Sequence, residues 1–348
     1  MRVYLDTSSI RKNSNSLNMF KSHNTFTSAL VVFELISGIN EKDFFLRQKV
    51  IKNLLDSSIY IDWDTYQKKM HNSFSVSFND SESDVIRQMV TKIVACKTFD
   101  EYTQLKIVTE DGTYYTYESF VDFDEEISKI GKKYSQIARD EWKNKDKEDR
   151  KMFIKHMFEE KYIKSYVQFL SEISMMVLVE DLSEHKRPSP EYFDMLDKYD
   201  GESLDVYLKY NNLLYLLHEI NGSECSKNDT IDSLHLLYLK RNDTIVSEDK
   251  IFKKLCEHIQ LIKANNSEEI MSISNGKSTE ATYEQIRDFI KNKYGISVKP
   301  CWIAHMKELC GLKVRVAHNR IDKTKRKYPC PEAKRPMIEE AFKHFGML

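Results

Sequence analysis

Glycine, proline and cysteine are scarce in this chain of 348 residues. Nine Gly and six Pro, with 31% charged residues, predict long, solvent-exposed helices rather than a succession of turns. The six cysteines lie far apart without a Cys-x-x-Cys pair, which fits reduced thiols and argues against a disulfide framework. No run of eighteen apolar residues occurs, so we expect no membrane-spanning segment.

The distribution of charge divides the chain into an acidic part and a basic part. Residues 281–348 contain 15 Lys and Arg against 7 Asp and Glu, a net charge of +8, whereas residues 1–280 carry −9. A basic module would supply phosphate contacts that an acidic body cannot make. The length favours two or three domains. Because the chain begins with a predicted strand rather than a signal peptide, we expect a cytoplasmic protein with no membrane partner.

The first acidic residue that attracts attention is Asp6, which directly follows the apolar run Val3-Tyr4-Leu5. Thr7 and Ser8 come next. A strand that delivers a carboxylate to its C-terminal tip is how α/β folds build metal and phosphate sites. An Asp in this place also caps a helix after many structural strands, and both interpretations stay open here.

A second acid, Glu34, is the one charge in a predicted helix that is otherwise apolar. Ser28 is the predicted N-cap and Gly38 the predicted stop. Burying an unpaired carboxylate costs several kcal/mol, so Glu34 needs a partner. Because the helix contains no Lys or Arg, we expect Glu34 at a metal or a polar active site, with a solvent-exposed edge as the alternative.

The remaining acids occur much later in the chain. Asp229, Asp232 and His235 have the spacing i, i+3, i+6, which places them on one side of a predicted helix. Each also has a structural interpretation, Asp229 as an N-cap and His235 as a satisfied polar residue.

A short apolar run then repeats the arrangement at the start of the chain. Thr244-Ile245-Val246 is a predicted buried strand, and Ser247 and Asp249 follow it. Asp249 could simply cap the next helix. Because these residues occur together with Asp6, Glu34 and Asp232, an active site is favoured over a set of separate helix caps.

These segments together resemble a PIN domain, the nuclease fold of bacterial toxin RNases of the VapC type and of many RNA-processing enzymes. The family has an Asp after its first strand, a Glu in its second helix, an Asp opening a late helix and a Thr/Ser-x-Asp after the next strand. The corresponding residues here are Asp6, Glu34, Asp232 and Asp249, with Ser247 in the Thr/Ser place. Asp229 competes with Asp232 for the third position.

The resemblance implies an α/β fold with a PIN-like parallel sheet flanked by helices, a mainly α-helical insertion and a small helical C-terminal domain. An Asp-Gly pair at 111–112 predicts one hairpin within the insertion. The insertion could be a lid, a dimerisation surface or a plain structural addition. The predicted boundaries are residues 1–65 for the first part of the PIN-like domain, 66–224 for the insertion, 225–264 for the second part, 265–280 for a linker and 281–348 for the basic module.

The chemistry that the resemblance implies is metal-dependent hydrolysis of phosphodiester bonds. Converging carboxylates repel one another unless a hard cation neutralises them, and Mg²⁺ or Mn²⁺ suits an all-oxygen site. Asp6, Asp232 and Asp249 would be ligands, with Asp229 as a further candidate. Glu34 would bind the metal or position a water, and Thr7 and Ser247 would support the site.

The implied enzyme is an endoribonuclease, and nucleic acid, RNA above DNA, is its expected partner. A DNA-directed nuclease of a defence or mobile-element system and a catalytically silent nucleic-acid-binding protein are the alternatives. An inhibitory partner protein and a homodimer stay open.

The basic module is predicted to consist of helices at 283–294, 300–309 and 331–345. It resembles a C-terminal extension of some bacterial RNA and DNA methyltransferases, which has a Tyr-Gly start, an Ile-Ala-x-x-Lys helix and a Cys-Pro pair. The matching residues are Tyr294-Gly295, Ile303-Ala304 with Lys307, and Cys330-Pro331. A helix-turn-helix-like arrangement would bring four basic residues to nucleic acid: Lys299, Lys307, Lys313 and Arg315.

Overall fold

The computed structural model describes residues 2–21, 24–159, 162–223, 226, 228–274, 281, 283–312, 328–345 and 347. The chain divides into two compact units, residues 1–270 and 271–348. In the described ranges no helix is both long enough and apolar enough to cross a membrane.

The first unit combines short strands with helices of very different lengths. Its strands are β1 (Arg2–Leu5), β2 (Asn24–Ser28), β3 (Tyr60–Asp62), β4 (Lys106–Val108), β5 (Tyr114–Thr116), β6 (Thr244–Val246) and β7 (Lys263–Asn265). The helices up to β6 are α1 (Thr7–Asn13), α2 (Ala29–Ser37), α3 (Phe44–Leu55), α4 (Tyr66–Asn72), α5 (Ser81–Ala95), α6 (Phe99–Thr103), α7 (Tyr117–Asn144), α8 (Lys147–Ile154), α9 (Ile163–Ser183), α10 (Pro190–Asp197), α11 (Asp205–Asn221) and α12 (Asp229–His235). After β6 come α13 (Ile251–His258) and the start of α14 (Ser267–Ser274), whose last four residues are assigned to the second unit.

Five strands form one parallel sheet in the order β3-β2-β1-β6-β7. The expected α/β class, a parallel sheet flanked by helices, is confirmed. Val3, Tyr4 and Leu5 are completely buried, as expected for a central strand covered by helices on both faces. The chain passes from β1 outward to β2 and β3, and later to β6 and β7 on the other side. The carboxyl ends of β1 and β6 therefore flank the point where strand order reverses, which is where open α/β sheets bind ligands.

The described residues of the stretch 66–224 are mainly helical, as predicted, and the stretch belongs to the same compact unit as the sheet. The predicted hairpin is confirmed by the antiparallel pair β4 and β5. Gly112 lies in its turn with φ +84°, a conformation that favours glycine over other residues.

The predicted linker at 265–280 is wrong over its first ten residues. Asn265 ends β7, which pairs with β6, and α14 follows. Asn266 accepts a hydrogen bond from the Glu269 backbone N–H at 2.9 Å, while the Glu269 carboxylate accepts from the Asn266 N–H at 2.8 Å. This reciprocal pair is a capping box, so the polar residues begin a helix instead of interrupting structure. Residues 275–280 lie outside the described residues.

The second unit contains α15 (Tyr283–Tyr294), α16 (Pro300–Leu309) and α17 (Arg335–His344). The first two helices have the predicted bounds, and a 3₁₀ turn at Glu332–Lys334 precedes the third. Their apolar faces share a core that includes Ile286, Ile290, Ile303, Ile338 and Phe342. Burial of these side chains is the main source of stability for three helices of this length.

Candidate functional site

Asp6 lies at the carboxyl tip of β1 and is both a helix cap and a buried acid. Its Oδ1 accepts the Ser9 backbone N–H at 2.8 Å, and only 3% of the residue is exposed. The Ser8 hydroxyl lies 2.9 Å from each carboxylate oxygen. Burial raises the pKa of Asp6, although the nearby His235 and the hydrogen bonds from Ser247, Ser9 and Ser8 oppose the shift.

The register of the sheet brings the end of β6 to Asp6. Leu5 pairs with Val246, so Ser247 stands beside Asp6, and its hydroxyl donates to Asp6 Oδ2 at 2.5 Å. The same hydroxyl accepts the Asp249 backbone N–H at 2.9 Å. Asp249 is exposed, and its Oδ1 accepts the Ile251 N–H at 2.9 Å at the start of α13. The Ser-x-Asp turn therefore fixes the Asp6 carboxylate through the Ser247 hydroxyl and places Asp249 at the same edge of the sheet.

Glu34 has the partner that the sequence required, but it is a histidine from far along the chain. The Glu34 Oε2 atom lies 2.9 Å from His235 Nε2 and accepts a hydrogen bond from the Thr7 hydroxyl. The His235 Nδ1 atom lies 2.7 Å from the Tyr4 hydroxyl, which is 2.7 Å from the Ser28 hydroxyl. A buried chain of polar groups thus connects β1, β2, α2 and α12.

His235 is 1% exposed and lies at the centre of this network. Burial acts to lower its pKa, but Glu34, and after it Asp6 and Asp232, raise it more, so that the net shift is upward. The surrounding acids thus shift the titration of His235 toward the imidazolium form. In the sequence, the spacing from Asp229 and Asp232 marked His235 as part of the predicted site, with a satisfied polar residue as the structural alternative.

Asp232 is the acid with the fewest partners. Its carboxylate accepts no hydrogen bond from the residues that the structure describes. Burial raises its pKa well above the ordinary value, and Glu34, Asp249 and Asp6 raise it further, while His235 lowers it. All four predicted acids therefore lie close enough to interact electrostatically. Like charges gathered in this way favour either protonation or a bound cation.

Asp229 bonds to residues other than those of the acid cluster. Its Oδ2 lies 3.1 Å from His218 Nε2 and accepts the Ser226 backbone N–H at 2.5 Å. Burial raises its pKa, but the contact with His218 and the bonds from Ser226 lower it more, so that the net shift is downward. Asp229 ties the start of α12 to α11, and Asp232 is left as the third acid beside Asp6 and Glu34.

The donor set of this site is all oxygen apart from His235, which fits Mg²⁺ or Mn²⁺. Within the described ranges no three His, Cys, Asp or Glu side chains converge closely enough to hold an ion as they stand. Asp6 and Glu34 instead bond to hydroxyls and to His235. Asp232, which has no hydrogen-bond partner for its carboxylate in the described part of the chain, is the residue whose negative charge a hard cation would neutralise.

A cationic cleft adjoins the acids and was missed from the sequence. Ser8, Arg11, Lys12, Arg47 and Glu248 line a depression with about 840 Å³ of unfilled space. Burial and the neighbouring Arg47 lower the pKa of Arg11, while Asp43 and Glu34 oppose the shift. Arg11 forms no hydrogen bond or ion pair with any residue that the structure describes, whereas Arg47 bonds to Asp43 at 3.1 Å and Lys12 to Glu248 at 2.7 Å.

The four predicted nucleic-acid contacts in the second unit differ in exposure, and two of them lie outside the described residues. Lys307 is only 4% exposed, and its Nζ lies 5.2 Å from the Tyr283 ring. Its prediction as a surface contact is wrong, because the side chain is buried beside the Tyr283 ring instead of facing solvent. Lys299 is exposed. Lys313 and Arg315 lie outside the described residues.

No protein-family model matches the sequence, and no solved structure matches it significantly. Fold alone does not determine function, so any function has to be argued from the site itself.

Proposed function

We propose that this chain is a metal-dependent nuclease of the PIN type that hydrolyses phosphodiester bonds in RNA. The observation that carries the proposal is the gathering of four acids at the carboxyl edge of a parallel sheet, where strand order reverses. Asp6 follows β1, Asp249 follows β6, and Glu34 and Asp232 come from α2 and α12. Sites of this kind in open α/β sheets are the usual places for ligands.

Asp6, Asp232 and Asp249 would hold Mg²⁺ or Mn²⁺. The cation would act as a Lewis acid toward the phosphodiester and would offset the charge that develops on its oxygens. Ser8 and Ser247 keep the Asp6 carboxylate in place through their hydroxyls. These supports matter because misplacement of a reacting group by about 1 Å can cost on the order of 100-fold in rate.

Glu34 is the candidate for handling the attacking water. Its Oε2 is held by Thr7 and His235, which leaves Oε1 without a bond to any described residue. With the carboxylate fixed by its other oxygen, Oε1 can accept a proton from a water in the site. His235 is a positioning residue in this scheme, because it acts on the reaction through Glu34.

The cleft beside the acids supports a polyanionic substrate. Arg11 and Arg47 concentrate positive charge there, and among the described residues Arg11 has no acidic partner that would have to be displaced. Guanidinium groups bind phosphate well, because they are planar, always charged and weakly hydrated. The cleft thus offers a path for the strand that leads to the acids.

The proposal is tested by cleavage of labelled single-stranded RNA and DNA of matched sequence in Mn²⁺, Mg²⁺ or EDTA. The variants are Asp232→Asn and, as a matched control three residues away on the same helix, Asp229→Asn. We expect metal-dependent cleavage of RNA that falls by about 100-fold or more in Asp232→Asn and persists in Asp229→Asn.

Preferential cleavage of DNA would change the substrate class but keep the site. No cleavage with any metal by folded protein, or full activity of Asp232→Asn, would overturn the nuclease assignment. Retained RNA binding in that case would favour a catalytically silent binding protein.

A further inference from the structure

The helix α9 is apolar on every side but is buried on only one. Only four of its 21 residues are charged. Ile163, Val167 and Val179 are buried, and α9 packs against α10 and α11. A helix that is apolar all round is normally covered all round. The outer face of α9 therefore requires a second partner.

A stripe of large apolar side chains, here called the α9 stripe, runs along this outer face. Its members recur at helical spacing and are 38–54% exposed: Tyr162, Phe169, Ile173, Met176 and Val177. Single exposed apolar residues are ordinary on a protein surface. A contiguous stripe that exposes roughly 400 Å² marks an interaction site instead.

A groove adjoins one edge of the α9 stripe. It is lined by Gln168, Glu172 and Met176 from α9 and by Leu196 and Tyr199. Packed helices place the side-chain ridges of one helix into the grooves beside the other. The stripe and the groove together therefore have the form of a seat for another helix.

We propose that the α9 stripe is the interface of a homodimer, in which two α9 helices pack antiparallel about a two-fold axis at Ile173. An interface of this symmetry has to be complementary to itself. The apolar positions of α9 satisfy this requirement, because they are symmetric about residue 173. Phe169 of one copy meets the partner's Val177, and Met176, on the wall of the groove, meets the partner's Leu170.

The charges at the two ends of α9 select a second copy in the antiparallel direction. Lys164 is exposed near the start of the helix, whereas Asp181 and Glu184 are exposed at its end. Glu180 is already paired with Arg187 at 2.7 Å. An antiparallel pair brings the basic start of each helix to the acidic end of the other, whereas a parallel pair would place acids beside acids.

The area of the interface fits a reversible dimer. With the residues that flank the stripe, about 500 Å² per copy would be covered, or about 1,000 Å² in total, which is the lower end for a specific interface. We therefore expect an equilibrium between monomer and dimer rather than an obligate dimer.

Sedimentation velocity of the full chain at about 1–100 μM, the range in which a weak dimer forms, tests the proposal. The unaltered protein should shift from monomer to dimer as its concentration rises. Ile173→Lys sets two ammonium groups against each other at the axis and should weaken dimerisation by about 10-fold or more. The control Val108→Lys, at a β-branched residue of β4 that is 57% exposed, should dimerise like the unaltered protein.

A mixing experiment tests the symmetry and guards against misfolded variants. Ile173→Glu alone should also be monomeric, but an equimolar mixture of Ile173→Glu and Ile173→Lys should dimerise, because residue 173 meets its own copy at the axis. Unaltered protein that stays monomeric would overturn the proposal and leave the stripe to a different partner. A dimer that persists in Ile173→Lys, or a mixture that stays monomeric, would also overturn it. The measurement needs neither metal nor RNA, so its result is independent of the proposed nuclease function.

Discussion

Replacement of His235 by Phe tests the buried network most severely. The His235 side chain is 1% exposed and that of Glu34 is 20% exposed. Removing one partner of a buried ion pair costs about 3–5 kcal/mol. Thr7 still donates to Glu34 and water reaches part of it, so we expect a loss below that range, about 2–3 kcal/mol in the free energy of unfolding.

The conservative variant separates the charge from the hydrogen bond. Gln at position 235 can keep a donor toward Glu34, so His235→Gln should lose about 1 kcal/mol less than His235→Phe. In a double-mutant cycle, Glu34→Gln should reduce the cost of His235→Phe by about 1–2 kcal/mol, because no charge is then left unpaired.

Urea denaturation followed by tryptophan fluorescence measures these values. In a Trp302→Phe background the remaining tryptophans, Trp63 and Trp142, lie in the first unit. A loss below about 1 kcal/mol for His235→Phe, or additive effects in the cycle, would refute the assignment of His235 as the counter-charge of Glu34.

Three further predictions concern substrate contact, capping and pH. Arg11→Gln should weaken RNA binding and reduce the slope of log K against log salt concentration by about one unit. Lys12→Gln should have a smaller effect, because Lys12 is already paired with Glu248. Filter binding at several salt concentrations measures both effects. Asn266→Ala should lower stability by about 1 kcal/mol, which urea denaturation would show. Because the pKa of Asp229 is lowered in the fold, its contact with His218 should stabilise the protein above the ordinary carboxyl pKa. The unaltered protein should lose this stability advantage over Asp229→Asn as the pH falls through the lowered pKa of Asp229. Equal slopes of the free energy of unfolding against pH for the two proteins would contradict this prediction.

The parts of the site that could be predicted depend on local sequence. Asp6 and Ser247 each follow directly on a short apolar run, and a strand that ends in a polar residue is visible within a few positions. The need of Glu34 for a partner was equally local, because the acid sits alone in an apolar helix. The identity of that partner could not be predicted locally, since His235 reaches Glu34 only through the folding of α12 against α2.

Spacing and composition misled in three places. Asp229 and Asp232 share a helix, but Asp229 turns to His218 and Ser226 at the helix start, where side chains bond locally. Asn266 belongs to a polar stretch typical of linkers and proves to be a cap. Lys307 lies in a basic segment yet is buried. The Arg11 cleft escaped notice because it exists only when α1 and α3 are brought together.

Binding of a divalent cation by Asp232 and its neighbours can be measured directly. Titration of Mn²⁺ into the protein, with free Mn²⁺ followed by electron paramagnetic resonance, measures this without any substrate. We expect the unaltered protein and Asp229→Asn to bind Mn²⁺ alike, and Asp232→Asn to bind it at least about 10-fold more weakly. Equal binding by Asp232→Asn, or no binding by the unaltered protein, would contradict it.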